Sequence, residues 1–420
     1  MKICEYSQCT NCGACVNVCP QNCISLINTE DYFVVPHIDE EKCINCKRCI
    51  QSCPNNYSVN IERYSTPEVF AAYAQDVGQM KNCTSGGIFS VLAEKILYKS
   101  GKVYGAANNE IFQAEFLRVE NEHDLYKLLG SKYVQSNTGT MYRSALEDLK
   151  AGREVLFVGL PCQIAGLYSF LGRDYENLYT IDLVCRGVPS EELLQEYLKV
   201  CEKDEQSKLV YLNWRNKSRK WKPMSYGSRV KMKFANGKVK ERKITNEPYY
   251  CMFLKNIAMK ESCYSCRFNG FPRMGDIILG DFAGLGVIEK NDFYNYNGIS
   301  QVLINSKKGK NLYESGRGKI NDVERTLDEC CFFNLNLWLS VIPNPKRGEF
   351  LMELQQNGIE SAIKKYVCTP KDRVIQIIKD FLILLLGEKR ILYLMHKKRQ
   401  YDGEYPDKWS PNKYFQNIDK

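Results

Sequence analysis

Hydrophobic and polar positions alternate along this chain in two periods. From about Thr66 onward, short runs that are apolar throughout alternate with stretches whose apolar residues return every three or four positions, the patterns of buried strands and amphipathic helices. Ile88, Val91, Leu92, Ile96 and Leu97 form one helical stripe between Ile88 and Tyr98, and the hydroxyls of Thr84 and Ser85 ahead of it are N-cap signals. Glu154–Val158 and Leu178–Val184 read as strands. The first runs into Gly159-Leu160-Pro161-Cys162-Gln163 and a short helix through Leu171. The second runs into Cys185-Arg186-Gly187-Val188-Pro189 and a helix capped by Ser190, with Glu191 and Glu192 in its first turn. Strand, loop and helix repeated in this order predict a parallel α/β layer whose strand ends carry the active loops. Ser228–Phe234, Asn236-Gly237 and Lys238–Ile244 predict a β-hairpin, and Asp276–Phe282 a further short strand. Val374–Met395 is apolar with interspersed charges. It reads as a helix packed on the body or binding a partner, in preference to one lying on a membrane surface over 374–399.

Composition narrows the class. With 420 residues, 44% hydrophobic and 25% charged, the chain is globular, and its length suggests two to three domains. The longest apolar run, Phe381–Leu386, is far short of the roughly 18 residues that would suggest a membrane span. Met1-Lys2-Ile3-Cys4-Glu5 does not open a secretory signal, so a cytoplasmic address is expected. Residues 1–62 carry four basic and seven acidic side chains, a net −3, so a whole-chain charge of +9 leaves +12 on the remainder. Opposed charges favour docking of the two parts and leave a basic body for an acidic redox partner or a phosphate-bearing cofactor.

The chain holds 20 cysteines, half of them within the first 53 residues, and only three histidines, His37, His123 and His396. Thiols in a cytosolic protein stay reduced, and scattered histidines disfavour mixed Cys/His zinc sites. Metal held by thiolates is therefore expected. Cys9-x2-Cys12-x2-Cys15-x3-Cys19-Pro20 recurs as Cys43-x2-Cys46-x2-Cys49-x3-Cys53-Pro54, 34 residues later. This is the run that binds bacterial-type [4Fe–4S] clusters, with the fourth cysteine of each run serving the other cluster. Crossing over assigns Cys9, Cys12, Cys15 and Cys53 to one cluster, and Cys43, Cys46, Cys49 and Cys19 to the other. A pair of zinc knuckles leaves the third and fourth cysteines of each run unexplained. Cys4 and Cys23 stand outside both runs and read as small buried side chains beside the clusters, rather than extra ligands. Residues 1–62 thus resemble a two-cluster ferredoxin module.

Four later cysteines, Cys162, Cys185, Cys263 and Cys266, sit at expected loops or strand ends. They supply enough thiolates for a third cluster, or else two structural cysteines and a redox or zinc-binding pair. Cys83, Cys201, Cys251, Cys330, Cys331 and Cys368 read as packing residues. Gly86 and Gly87 at a helix start either bare amides for an anion or permit a close-packed helix entry. No G-x-G-x-x-G follows a strand, so a Rossmann nicotinamide site has no support. The basic stretch Arg215, Lys217, Arg219, Lys220, Trp221 and Lys222 is too short to support nucleic-acid binding.

Thr84-Ser85-Gly86-Gly87, Gly159–Gln163, Asp182–Ser190, Cys263-Tyr264-Ser265-Cys266 and Asp276–Phe282, in that order, resemble the coenzyme F420 hydrogenase/dehydrogenase beta-subunit family with a ferredoxin module in front. The resemblance implies an iron–sulfur flavoprotein that passes electrons between clusters and FAD, then to or from F420 or another soluble organic acceptor, with a ferredoxin or similar redox protein as partner. It implies that Cys162, Cys185, Cys263 and Cys266 are cluster-associated and that Ser85, Gly86 and Gly87 belong to the cofactor segment. Arg186 stands where the family usually has His and Ala283 where it has Trp, so the acceptor is left open between F420 and another molecule. A permanent cation cannot shuttle a proton. The expected fold is an α+β ferredoxin-like N-terminal module, an α/β body whose second part contains the β-hairpin, and a helical C-terminal tail. The expected divisions are 1–62, 66–205, 206–345 and 346–420. The competing function is a flavin-free adapter subunit linking a ferredoxin to a partner enzyme.

Overall fold

The computed structural model describes residues 1–217, 228–287, 291–387, 390, 391, 393 and 394. In the first 62 residues the helices are short: α1 (Ala14–Val18), then the antiparallel pair β1 (Ile24–Asn28) and β2 (Val34–Ile38), then α2 (Arg48–Gln51). The 34-residue repeat is visible in the backbone itself. Asn11 and Asn45 take φ of 53° and 52°, and the helix-entry residues Gly13 and Lys47 are both left-handed. Each positive φ turns the chain sharply enough to face three successive cysteines inward, which costs least at Gly and Asn.

The body is one mixed sheet. Its elements run β3 (Glu68–Ala74), α3 (Val77–Asn82), α4 (Ile88–Tyr98), β4 (Lys102–Asn108), β5 (Ala114–Val119), α5 (Met141–Lys150), β6 (Val155–Gly159), α6 (Pro161–Leu171), β7 (Leu178–Leu183) and α7 (Glu191–Glu205). They continue as β8 (Leu209–Asn216), β9 (Arg229–Phe234), β10 (Val239–Lys243), α8 (Pro248–Leu254), α9 (Glu261–Tyr264), β11 (Ile277–Asp281), β12 (Ser300–Ile304), α10 (Lys307–Gly316), β13 (Ile320–Arg325), α11 (Leu327–Phe333), α12 (Arg347–Ala362) and α13 (Pro370–Leu386). The eight-stranded sheet has the order β13-β3-β12-β11-β7-β6-β4-β5, and β4, β6, β7 and β11 run parallel to one another. The parallel layer read from the repeated strand, loop and helix pattern is therefore present, with antiparallel strands on both flanks. Strands from both sides of residue 205 build this single sheet, so the division expected there cuts through hydrogen-bonded neighbours.

The hairpin forms as β9 and β10 around Asn236-Gly237, with Gly237 left-handed, and β8 completes a second, three-stranded sheet. Burial matches the helical stripe of α4, where Ile88, Val91, Leu92, Ile96 and Leu97 are all buried. The cap differs from expectation. Gly87, not a hydroxyl residue, occupies the N-cap at φ +83°, because Ser85 is bonded elsewhere. Ser190 caps α7 as expected, accepting from the Leu193 amide.

The C-terminal region is helical, and its two parts behave differently. Phe350, Leu354, Ile359 and Ala362 of α12 are buried in one apolar cluster with α7 and α8. α13 meets the body through its polar side, by Asp372 and Asp380, and buries no residue fully. No helix among the described residues is long and apolar enough to cross a membrane.

Two buried ion pairs tie the segment before β11 to the rest. Arg273 and Asp182, both fully buried, meet at 2.7 Å, and Asp182 also accepts from the Gly275 amide. Arg63, just past the N-terminal module, donates to the Tyr168 hydroxyl and the Met274 carbonyl and pairs with Asp276. Arg273→Met should lower stability by about 3–5 kcal/mol, because it strands the Asp182 carboxylate in the interior. Urea unfolding of the full chain followed by circular dichroism checks this.

Candidate metal centres

The two four-cysteine runs fold into two rings of thiols, each drawn from both runs. Cys9, Cys12, Cys15 and Cys53 line a cleft of about 330 Å³, together with Cys4. Cys19, Cys43, Cys46 and Cys49 line a second of about 320 Å³, together with Cys23. The membership is the crossed one. Among the described residues no three His, Cys, Asp or Glu side chains close tightly enough for a single metal ion, whereas a cubane with an iron behind each sulfur needs a wider ring.

Cys4 and Cys23 lie beside the rings. Cys23 Sγ lies 3.3 Å from Cys19 Sγ, and the Cys4 thiol hydrogen-bonds both Cys9 and Cys53. That bond holds Cys9 down to about 6 and Cys53 to about 7, while Cys4 itself is pushed far up. Cys9 and Cys53 are thus drawn toward the thiolate, the form that binds iron, while burial pushes Cys12 and Cys15 up. Spacing along the chain carries no signal for these two neighbours, because neither falls on the 34-residue repeat.

A third group of thiols forms at the carboxyl end of the parallel strands. Gly159 of β6 and Asp182 of β7 are register partners, and Cys162 and Cys185 each follow three residues later. Pro161 starts α6 at the position where a missing N–H costs nothing, and Cys162 follows it. Cys263 lies in α9 and Cys266 two residues beyond. The Cys162 thiol interacts electrostatically with Cys266, Cys185, Cys12 and Cys263, and burial pushes it well up. Burial likewise raises Cys185 and lifts Cys263 to about 12. Gly187, at φ +132°, lets its loop press on α9: a Cβ there would meet Cys263 Cβ at 3.2 Å. The four cysteines singled out in sequence thus share one half-buried neighbourhood.

This third ring adjoins the first. Gly166 of α6 packs against Cys12 so closely that a Cβ would stand 2.9 Å from its sulfur. Tyr142 and Thr138 donate to the Cys12 carbonyl, Ser262 of α9 donates to the Cys9 carbonyl, and Gln135 donates to that of Thr10. Arg143 spans the carbonyls of Val16, Asn17 and Cys19. The module is seated on the body, not held on a separate lobe. Lys260, buried beside α9, donates to the Val34 carbonyl and lies over the Phe33 ring. Burial lowers it from the ordinary lysine value while Cys9, Cys263 and Cys162 pull the other way. Its ammonium thus interacts with thiols of both the first and third groups, a role that leaves no signature in the local sequence.

Ser85, Gly86 and Gly87 lie apart from these thiols. The Ser85 hydroxyl donates to the Ile299 carbonyl and the Gly86 amide to Ser300 Oγ. A Cβ at Gly86 would sit 2.4 Å from the Ala72 carbonyl oxygen. Of the two readings open for this pair, the structure takes the close-packed helix entry. Lys217 caps the carbonyls of Met80, Ser85 and Asn297, and Arg215 pairs with Asp281. Two cations of the basic stretch are thus committed internally, and Arg219, Lys220, Trp221 and Lys222 lie outside the described residues. Arg186 is tied to Asn256 and the Leu254 carbonyl, and Ala283 is buried. Cys83, Cys201, Cys330 and Cys331 are buried, while Cys251 and Cys368 hydrogen-bond each other.

Residues 8–57 match the 4Fe-4S dicluster domain, and residues 152–325 match the C terminus of the coenzyme F420 hydrogenase/dehydrogenase beta subunit. The family resemblance stands. A coenzyme F420-dependent sulfite reductase from Methanocaldococcus jannaschii is 28% identical over 199 residues, 47% of this chain and 30% of that protein. The chain thus spans less than a third of the relative it matches. A chain in a xenon-derivatized structure of the F420-reducing [NiFe] hydrogenase complex from Methanosarcina barkeri aligns at a TM-score of 0.44. It is 17% identical over 72% of this chain and 93% of that one.

Two substitutions probe the contact between rings. Gly166→Ala should disturb the paramagnetic signal of the reduced first cluster and spare that of the second, since the added methyl meets Cys12 and no thiol of the second ring. Lys260→Met should lower the midpoint potentials on either side of it, because a nearby positive charge favours the reduced, more negative cluster. Redox titration followed by paramagnetic resonance reads the shift, and unchanged potentials would refute the role.

Proposed function

We propose that this chain is the electron-relay part of an iron–sulfur oxidoreductase related to the F420 hydrogenase/dehydrogenase beta subunits, with a ferredoxin-like module as its entry or exit. The observation that supports this is the three groups of thiols, with Cys12 of the first interacting electrostatically with Cys162 of the third. Cys9, Cys12, Cys15 and Cys53 would hold one [4Fe–4S] cluster, Cys43, Cys46, Cys49 and Cys19 a second, and Cys162, Cys185, Cys263 and Cys266 a third. A bound cluster supplies one-electron transfer with little change in geometry. The residues of this chain do the rest: α9 ties two rings together through Ser262, and Lys260 places a positive charge near thiols of both.

The resemblance also implies FAD and F420. Ser85 and Gly86 do not fit a flavin phosphate, because their hydroxyl and amide are already bonded inside the chain. No step is therefore assigned to a flavin there. This favours the adapter reading, in which the relay delivers electrons to or from a partner protein that carries the organic acceptor chemistry. Arg186, a fixed cation tied to Asn256, offers no proton shuttle for an acceptor bound beside Cys185.

Anaerobic reconstitution should yield about twelve irons and as many sulfides per chain, by cubane stoichiometry, against about eight if only the module is loaded. Stoichiometric zinc would overturn the assignment. Cys53→Ala should abolish the cluster of Cys9, Cys12 and Cys15 and keep the one on its own run, while Cys266→Ala should remove only the third. A flavin count on the same preparation separates the two readings: one flavin per chain returns the flavoprotein, none supports the adapter.

A further inference from the structure

The amphipathic helix α13 is mounted inside out. Thr369 and Asp372 cap its start reciprocally. Asp372 pairs with Lys255 at 2.7 Å, and Asp380 with Lys243 at 2.6 Å while also accepting from Gln376. At 3.6 residues per turn, Asp372, Gln376 and Asp380 fall on one side, and that polar side is the one facing the body. Val374, Ile377, Ile378, Phe381, Leu384 and Leu385 fall on the other, at the centre of an apolar arc roughly 200° wide. These are among the most exposed large apolar side chains of the protein, Leu384 at 82%, Ile377 at 68% and Leu385 at 62%. Ile375, Leu382 and Leu386 extend the arc along one flank. A contiguous face of this size and composition marks a surface that is covered by something else.

The width of the arc and the charge beside it distinguish the possible covers. A helix that enters a protein groove presents a stripe of anchors at i, i+3, i+4 and i+7, and a 200° arc is broader than such a groove encloses. A flat acyl boundary accepts the whole arc at once. The helix is about 25 Å long, too short to span, and is fixed to the body along its polar side. The sequence continuing from it, residues 388–399, carries Lys389, Arg390, Lys397, Lys398 and Arg399 against Glu388 alone. Five cations that follow an apolar helix in the sequence complement anionic lipid headgroups, whereas a second copy of this chain offers them only like charge. We propose that α13 docks the chain peripherally on an anionic membrane surface. The proposal rests on α13 and the charges that follow it in the sequence, independently of the thiol rings.

The test is sedimentation of the full chain with vesicles. Wild-type protein should pellet with vesicles of phosphatidylcholine and phosphatidylglycerol at least tenfold more than with phosphatidylcholine alone. The triple variant Ile377→Asn, Phe381→Asn, Leu384→Asn should stay in the supernatant at wild-type iron content and melting temperature, since those side chains are exposed on the face turned away from the body. Lys397→Glu, Lys398→Glu, Arg399→Glu should abolish the preference for anionic vesicles. Wild-type protein that remains in the supernatant with both vesicle types overturns the proposal. A dimer in sedimentation equilibrium that the triple variant disrupts, without vesicle binding, assigns the face to a second copy instead.

Discussion

The approach of α6 to Cys12 is the contact on which the rest of this structure depends. Electron transfer between metal centres falls steeply with separation, so a chain that relays electrons must bring its cysteine sets edge to edge while keeping each in its own frame. Here a single missing side chain, that of Gly166, lets a body helix touch a cluster-binding loop. The hydrogen bonds around it then hold the seat. Tyr142, Thr138, Gln135, Arg143 and Ser262 all donate to backbone carbonyls of the module. Carbonyls are fixed by the loop that carries the cysteines, so bonding them positions the thiols without competing for them.

The same arrangement explains how much is legible in the residues alone. Cysteine spacing encodes a local loop, and local loops are written in consecutive residues. The 34-residue repeat therefore predicts the crossed membership that the two clefts display. Strand and helix periods likewise locate α4, β6, β7, α7 and the β9–β10 hairpin, since burial on one face repeats along the chain. What stays hidden is long-range. Lys260 reaches thiols of two groups from a segment about 250 residues after Cys9, and β3 finds its partners β12 and β13 near residues 300 and 320. The Gly86-Gly87 pair shows the limit from the other side. Two glycines before a helix serve an anion or a tight packing contact equally well, and only the Ser300 hydroxyl against the Gly86 amide decides between them.

Charge is distributed to match this division of labour. The buried pairs Arg273–Asp182 and Arg63–Asp276 fasten the segment leading into β11 and the link from the module. Such pairs add little net stability compared with apolar packing, yet breaking one is expensive, so they act as register marks for segments that have no periodic pattern of their own. The stretch from Cys263 to Asp276 has no strand and only the end of one short helix. Its position is set by Arg273 at one end and by Ser262 and Lys260 at the other.

The placement of β3 has a consequence for how the protein is made. Ribosomes deliver the chain from its N-terminus at about 5–20 residues per second. All ten module cysteines have been made by residue 53, and the two clefts they line draw on no later thiol. The first strand of the body, by contrast, lies between β12 and β13, and neither neighbour exists until residue 300 has been made. The third ring waits for Cys266 and for β11, the strand that closes the parallel layer beside it. Iron can thus be delivered to the module on a nascent chain, while the body ring is framed only near the end of synthesis. The order of the residues thus completes the module's cysteine set early and brings the body's four thiols together late.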